Sequence, residues 1–238
     1  MSGRVGSITT DIIADGLIFN MDAANRASTI PSPATTKAFN TINLSQSGSI
    51  ITDATWQAGS NPTFNFDGSD GYINTNFTID NSYSELTLSA WINYTNFNGT
   101  YPGVMGQWVN NSFANSTWLM YVWPTGKINT IFASGGSYVQ AGNAYALTTG
   151  VWYNITTTWD GSIVKQYINA TQDGSTPSLA SLNNGASTML IGAWMNQAQS
   201  GIQLALNGEI GPIQVYDRAL SANEVLHNYN ALRGRFGL

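Results

Sequence analysis

Two stretches of the chain alternate in polarity with a period of two, and that pattern limits the folds open to it. In Leu86-Thr87-Leu88-Ser89-Ala90-Trp91-Ile92-Asn93-Tyr94, residues Leu86, Leu88, Ala90, Ile92 and Tyr94 share one face. In Trp152-Tyr153-Asn154-Ile155-Thr156-Thr157-Thr158-Trp159, residues Tyr153, Ile155, Thr157 and Trp159 do the same. Side chains along a strand point alternately to opposite sides, so this pattern, rich in β-branched and aromatic residues, predicts strands with one buried face. Asp160-Gly161 then precedes Ile163-Val164-Lys165-Gln166-Tyr167-Ile168, and an Asp-Gly pair accepts the positive φ angles of a tight hairpin. Further strands are predicted at 63–66, 71–73, 118–123, 127–132, 188–192 and 211–216. Many short strands separated by turn residues indicate a sandwich or barrel. No repeat of about 20–50 residues is present, which disfavours a solenoid or propeller.

Regular structure is expected to begin at Gly16-Leu17-Ile18-Phe19-Asn20-Met21-Asp22, after an N-terminal arm over residues 1–15. Residues 23–48, with Pro31, Pro33, Thr35 and Thr36, read as an irregular connection inside one domain spanning 16–238. One helix is predicted, over 222–233. Ser221-Ala222-Asn223-Glu224 fits a capping box, in which Ser caps the third amide and Glu reaches back to the Ser amide. Val225, Leu226, Tyr229 and Leu232 form an apolar stripe, expected to lie against the edge of the sandwich. Gly234 stands where the helix should stop, ahead of a tail over 234–238.

Composition removes several function classes. Only 9% of the 238 residues are charged, against about 25% in an average chain. Asn, Ser, Thr and Gly fill the deficit. The net charge is −5 and the eight basic residues are scattered, so phosphate-backbone binding has no footprint and nucleic acid is not the expected partner. No apolar run approaches the roughly 18 residues of a membrane span. Zero cysteines exclude disulfides, thiolate metal sites and a thiol nucleophile. The single histidine, His227, sits between Leu226 and Asn228 with no accompanying nucleophile pattern, and reads as a solvent-facing or interface residue. The first residues carry Asp11 and Asp15 and no apolar core of a signal peptide, so assembly in the cytosol is expected. Triplets such as Asn93-Tyr94-Thr95 then read as compositional rather than as glycosylation sites.

The order of several short segments resembles the concanavalin A-like lectin/glucanase superfamily, in its laminin G-like jelly-roll branch. They are Phe66-Asp67-Gly68-Ser69-Asp70-Gly71-Tyr72-Ile73, Leu86 to Ile92, Gly150-Val151-Trp152-Tyr153-Asn154-Ile155, Trp159-Asp160-Gly161, Tyr167-Ile168-Asn169, Ile191-Gly192 and Gly208 to Glu224. The resemblance implies an all-β sandwich of two curved antiparallel sheets with one short C-terminal helix. One departure is Ala170, where the family usually has Gly after Asn169. The segments Gly16 to Asp22 and Tyr229 to Gly237 are similar to laminin G-like domains of tailed-phage virion proteins. That likeness implies a capsid decoration or a tail or fibre component, forming a homo-oligomer and contacting capsid or tail proteins.

Candidate sites follow. Retaining glycosidases need two carboxyls about 5–5.5 Å apart. The three glutamates, Glu85, Glu209 and Glu224, begin no alternating acidic strand, so catalysis is not expected. Asp67 and Asp70 lie in a Gly-rich turn, where Asp bonds its own backbone; calcium ligation is the other reading. Trp91, Trp152 and Trp159 fall on predicted strands and read as packing. Trp108, Trp123 and Trp194 border loops rich in Asn and Gln. A ring beside amides suits a sugar, such as one on a host-cell surface, whose C–H face stacks while its hydroxyls hydrogen-bond; plain packing or subunit contact remains the alternative. Arg233, Arg235 and Phe236 in the tail suit docking onto an acidic neighbour in an assembly, or plain solvation.

Overall fold

The computed structural model describes residues 11–29, 36–96 and 100–238. Pro31, Pro33 and Thr35 of the expected connection, and residues 1–10 of the expected arm, lie outside them. Two eight-stranded antiparallel sheets dominate. The first runs Thr171–Asp173, Val164–Ile168, Trp152–Trp159, Leu86–Tyr94, Asn207–Tyr216, Thr63–Asp67 and Thr55–Gln57, with Leu17–Met21 also paired to Asn207–Tyr216. The second runs Ser137–Ala146, Lys127–Ser134, Trp118–Val122, Gly103–Gln107, Leu190–Ile191, Tyr72–Asn74, Ser47–Ile51 and Lys37–Phe39. A small hairpin, Trp194–Met195 with Ile202–Gln203, stands apart from both.

The alternation places the core as expected. Leu86, Leu88, Ala90, Ile92 and Tyr94, with Tyr153, Ile155 and Trp159, meet Trp118, Met120, Val122, Ile128 and Phe132 of the second sheet in one buried cluster. Each large apolar side chain so buried stabilises the fold by about 1.5–3 kcal/mol. Thr157 also faces inward, where its hydroxyl hydrogen-bonds that of Thr130 at 2.7 Å and ties the two sheets together. Residues 23–48 depart from expectation: they contain the strand Lys37–Phe39, and Ser47–Ile51 begins before they end. Neither strand is long enough to show a clear period.

The predicted hairpin after Trp159 forms, but with four residues, Asp160 to Ile163, between the paired Trp159 and Val164 and with only Gly161 at positive φ. Asp160 Oδ1 accepts from the amides of Ser162 and Ile163, and Gly161 takes φ +83°. Asn169 and Ala170 form the two-residue turn into Thr171–Asp173, with φ +49° and +63°. A turn with both central residues at positive φ suits Asn-Gly, and a Cβ there is strained. Ala170→Gly is therefore expected to stabilise the protein by about 1 kcal/mol, read as a higher denaturation midpoint; an unchanged or lower midpoint would show that the turn bears no strain.

The helix, Ala222–Leu232, carries the predicted capping box. Its buried face differs from the predicted stripe: Val225 and Asn228 are buried, and Leu226 is largely exposed. Asn228 is buried because both ends of its amide are used, accepting from the Ile13 amide and donating to the Tyr216 hydroxyl. The helix lies on the outer face of the first sheet, not at its edge, with Tyr229 stacked on Trp91 at 5.7 Å. Gly234 does not stop the chain, which continues as a 3-10 turn, Arg233–Phe236, and ends at Gly237 with φ +73°.

The Arg218 guanidinium and the Ser221 amide hold the Glu224 carboxyl down at a pKa of about 2. A depressed carboxylate contributes stability above its unfolded value near 4.5 and loses it as pH falls toward 2. With solvent screening this amounts to about 1 kcal/mol. Glu224→Gln is expected to be less stable than wild type by that amount at neutral pH, with the gap closing near pH 2 in parallel denaturation curves; a gap independent of pH would contradict the pairing.

Candidate functional site

The outer face of the second sheet is unusual for a face turned away from the core. One-sided antiparallel sheets are polar outside. Here Leu119, Tyr121, Ile131, Ala133 and Trp108 form a second buried cluster, with Phe113, Trp123 and Trp194 packed against it. The strand Trp118–Val122 explains it: Trp118, Met120 and Val122 point to the core, while Leu119 and Tyr121 point outward.

A cleft of about 200 Å³ opens on this face, lined by Tyr101, Trp108, Asn110, Asn111, Phe113, Leu119, Tyr121, Ile131, Tyr138 and Trp194. Its rings fall into two groups. Tyr101 lies edge-on to Trp123 at 5.4 Å and is tilted against Tyr121 at 6.3 Å. Phe113 lies edge-on to Trp108 at 5.9 Å and is tilted against Tyr138 at 6.0 Å. Such centroid separations fall in the range of favourable aromatic pairs, so the rings hold one another in place. Trp123 Nε1 donates to the Tyr121 hydroxyl at 3.0 Å.

Backbone hydrogen bonds fix the loop that carries the polar groups. The Met195 amide donates to the Trp108 carbonyl and the Asn110 amide to the Met195 carbonyl, both at 3.0 Å. These bonds join residues 108–110 to the small hairpin and bring Trp194 to the cleft. Buried Ser116 accepts from the Val109 amide and donates to the Ser112 carbonyl. Within this loop Asn111 takes φ +55°, a conformation that Asn tolerates better than most residues. Asn110 and Asn111 thus present carboxamides, each with two donors and an acceptor, beside aromatic rings.

Of the three tryptophans singled out from the sequence, Trp108 and Trp194 line the cleft and Trp123 packs in the same outer cluster beside it. Trp108 is only 5% exposed and forms part of the wall, whereas Trp123 and Trp194 are half-buried. The rings most open to a ligand are Tyr101 at 40% and Tyr138 at 46% exposure. Sequence reading passed over both, together with Phe113 and Tyr121. The available signal was the unbroken apolar run from Trp118 to Trp123, because a strand without polar alternation is covered on both faces.

The other candidates lie elsewhere. Asp67 Oδ1 accepts from the Ser69 amide, the backbone-bonding role of a turn Asp. Asp70 is exposed; desolvation, followed by the charges of Asp53 and Asp67, raises its pKa. Among the described residues no group of three His, Cys, Asp or Glu side chains is arranged to hold a metal ion. Arg235 makes a bidentate pair with Asp22 at 2.6 and 3.0 Å, and Phe236 is buried against Trp91 and Trp152. The tail is therefore docked on its own domain, and only Arg233 of the three expected contact residues is exposed. Each glutamate serves a local bond: Glu85 accepts from the Ala219 amide, Glu209 from the Thr63 hydroxyl, and Glu224 pairs with Arg218. His227 is half-exposed, with Nε2 2.9 Å from the Asp11 carbonyl oxygen.

Residues 67–226 match the family described as the concanavalin A-like lectin/glucanases superfamily. Among solved structures, the chain is similar to the binding domain of Paraclostridial Mosquitocidal Protein 1, at TM-score 0.67 and 16% identity, over 91% of this chain and 52% of that one. It is also similar to the ligand binding domain of botulinum neurotoxin serotype D in complex with N-acetylneuraminic acid, at TM-score 0.65 and 14% identity, over 90% and 50%. A third is domain 4 of AbnA, an extracellular arabinanase from Geobacillus stearothermophilus, in complex with arabinotriose, at TM-score 0.64 and 14% identity, over 90% and 98%. The chain thus spans about half the length of the toxin binding domains and nearly all of the arabinanase domain. At these identities the likeness is one of fold. A comparison with curated protein sequences returned no match.

Proposed function

The chain belongs to the concanavalin A-like lectin/glucanases superfamily, and from that premise we propose that it is a non-catalytic, lectin-like module that holds a glycan in the aromatic cleft of the second sheet. One observation carries the reading: exposed tyrosine rings and two asparagine carboxamides converge on a sheet face built mainly of apolar and aromatic side chains. Ring faces take the C–H side of a sugar, and neutral amides take its hydroxyls. The fold neighbour matched over nearly its whole length, a domain in complex with arabinotriose, supports this. The neighbours are mainly binding domains, and the local duties of Glu85, Glu209 and Glu224 accord with binding rather than hydrolysis.

A glycan array probed with the folded protein tests the proposal. Binding to at least one class of oligosaccharide, competed by the free sugar, is the expected result; no binding to any glycan would overturn it.

The setting is a tailed-phage particle, with the module exposed as a capsid decoration or a tail or fibre component among copies of itself. Support comes from the likeness of residues 16–22 and 229–237 to virion domains, two segments that meet here where Arg235 grips Asp22. Particles assembled without this chain should lack a surface feature in negative-stain images, and unchanged morphology and composition would count against the setting.

A further inference from the structure

Resting on the glycan-binding reading above, we infer that the cleft selects neutral oligosaccharides and rejects sugars that carry carboxylate, sulfate or phosphate groups. Among the described residues, none lining the cleft bears a charge: its polar groups are the carboxamides of Asn110 and Asn111, the phenols of Tyr101, Tyr121 and Tyr138, and the Trp108 and Trp194 indoles. Lys127, at the start of the strand Lys127–Ser134, precedes Ile131 by four positions and is not among the lining residues. Burial pushes the Tyr121 hydroxyl up to about 12, against the donated hydrogen bond of the Trp123 indole, which lowers it.

The basic residues that could receive an anion are engaged or elsewhere. Arg218 is paired with Glu224 and Asp15, and Arg235 with Asp22. Arg26, Lys37, Lys127, Lys165 and Arg233 do not line the cleft, and Arg4 lies outside the described residues. Buried polar atoms beside the cleft are neutral too. Trp194 Nε1 and both amide atoms of Asn129 have no hydrogen-bond partner among the described residues. Asn129 stands opposite Tyr121 in register and two positions before Ile131, on the same face of its strand.

An anionic sugar entering such a cleft would shed water from its charge and gain no cation in return, against a protein of net charge −5. A neutral sugar exchanges water for amide and phenol hydrogen bonds at no such cost. The discrimination is therefore by omission of a cation, and it should be insensitive to salt.

The test is a glycan array of matched neutral, sialylated, uronic and sulfated oligosaccharides, followed by calorimetric titration of the best neutral binder and its acidic counterpart. The expected result is at least about tenfold tighter binding of the neutral sugar. Its affinity should change less than about twofold between about 0.02 and 0.5 M salt. It should also stay flat from about pH 5 to 9, because no carboxylate or imidazole is among the described residues that line the cleft. An acidic glycan bound as tightly, or an affinity that falls steeply with salt, would overturn the selectivity and leave the glycan-binding reading standing. A folded protein that binds neither kind would overturn both.

Discussion

Replacing Phe236 with alanine is expected to lower the unfolding free energy by about 3 kcal/mol. The ring is 8% exposed and stacks on Trp91 at 4.3 Å, with Trp152 at 4.5 Å. Gly211 makes the space for it: a Cβ there would lie 2.9 Å from the ring of Phe236 and 3.1 Å from Trp91. Loss of the ring leaves Trp91, buried beneath the helix, without one of its stacking partners, and unseats the turn that presents Arg235 to Asp22 and Asn61. For a domain of this size the thermal midpoint should drop by about 6–12 °C. Leu238→Ala, at an exposed position two residues on, serves as the control and should change little. A midpoint for Phe236→Ala within about 2 °C of wild type would mean that the C-terminal turn is not docked in solution.

The second large effect concerns binding. Tyr138→Ala and Tyr101→Ala should each weaken the glycan found by array at least about tenfold, and the double variant should abolish measurable binding. Both rings are exposed at the cleft, so their removal should leave the thermal midpoint nearly unchanged. Trp108→Ala should also lose binding, but with a large loss of stability, because its side chain is buried in the outer cluster. The contrast separates ligand contact from support. If the tyrosine variants bind as wild type does, the sugar sits elsewhere.

The parts of this molecule written in local chemistry were readable from its sequence. Alternation placed Leu86–Tyr94 and Trp152–Trp159 with the correct faces inward, and the Ser221–Glu224 box marked the start of the helix. What escaped depends on contacts distant in sequence. Asn228 looks like a surface residue until Ile13 and Tyr216 satisfy its amide, so an apolar stripe assigned Leu226 to the buried face instead. Phe236 looks like the end of a free tail until Gly211 provides its socket.

The site was half legible for the same reason. Trp108, Trp123 and Trp194 stood out as large rings beside amides, and the fold gathers them into one cluster. Tyr101 and Tyr138 did not stand out, because their surroundings carry no periodic signal. Tyr138 is the second residue of Ser137–Ala146, a strand interrupted by Gly142 and Asn143, and Tyr101 precedes the strand Gly103–Gln107, which has two glycines in five residues.

The most direct test of the account follows the tryptophan indole N–H resonances during titration with the sugar identified by array. Trp194 and Trp123, with Trp108, should shift as the ligand binds. Trp56 and Trp159, whose indoles donate to the Ala23 and Leu179 carbonyls away from the cleft, should stay in place. Saturable binding that moves Trp56 or Trp159 while Trp108, Trp123 and Trp194 remain still would contradict it.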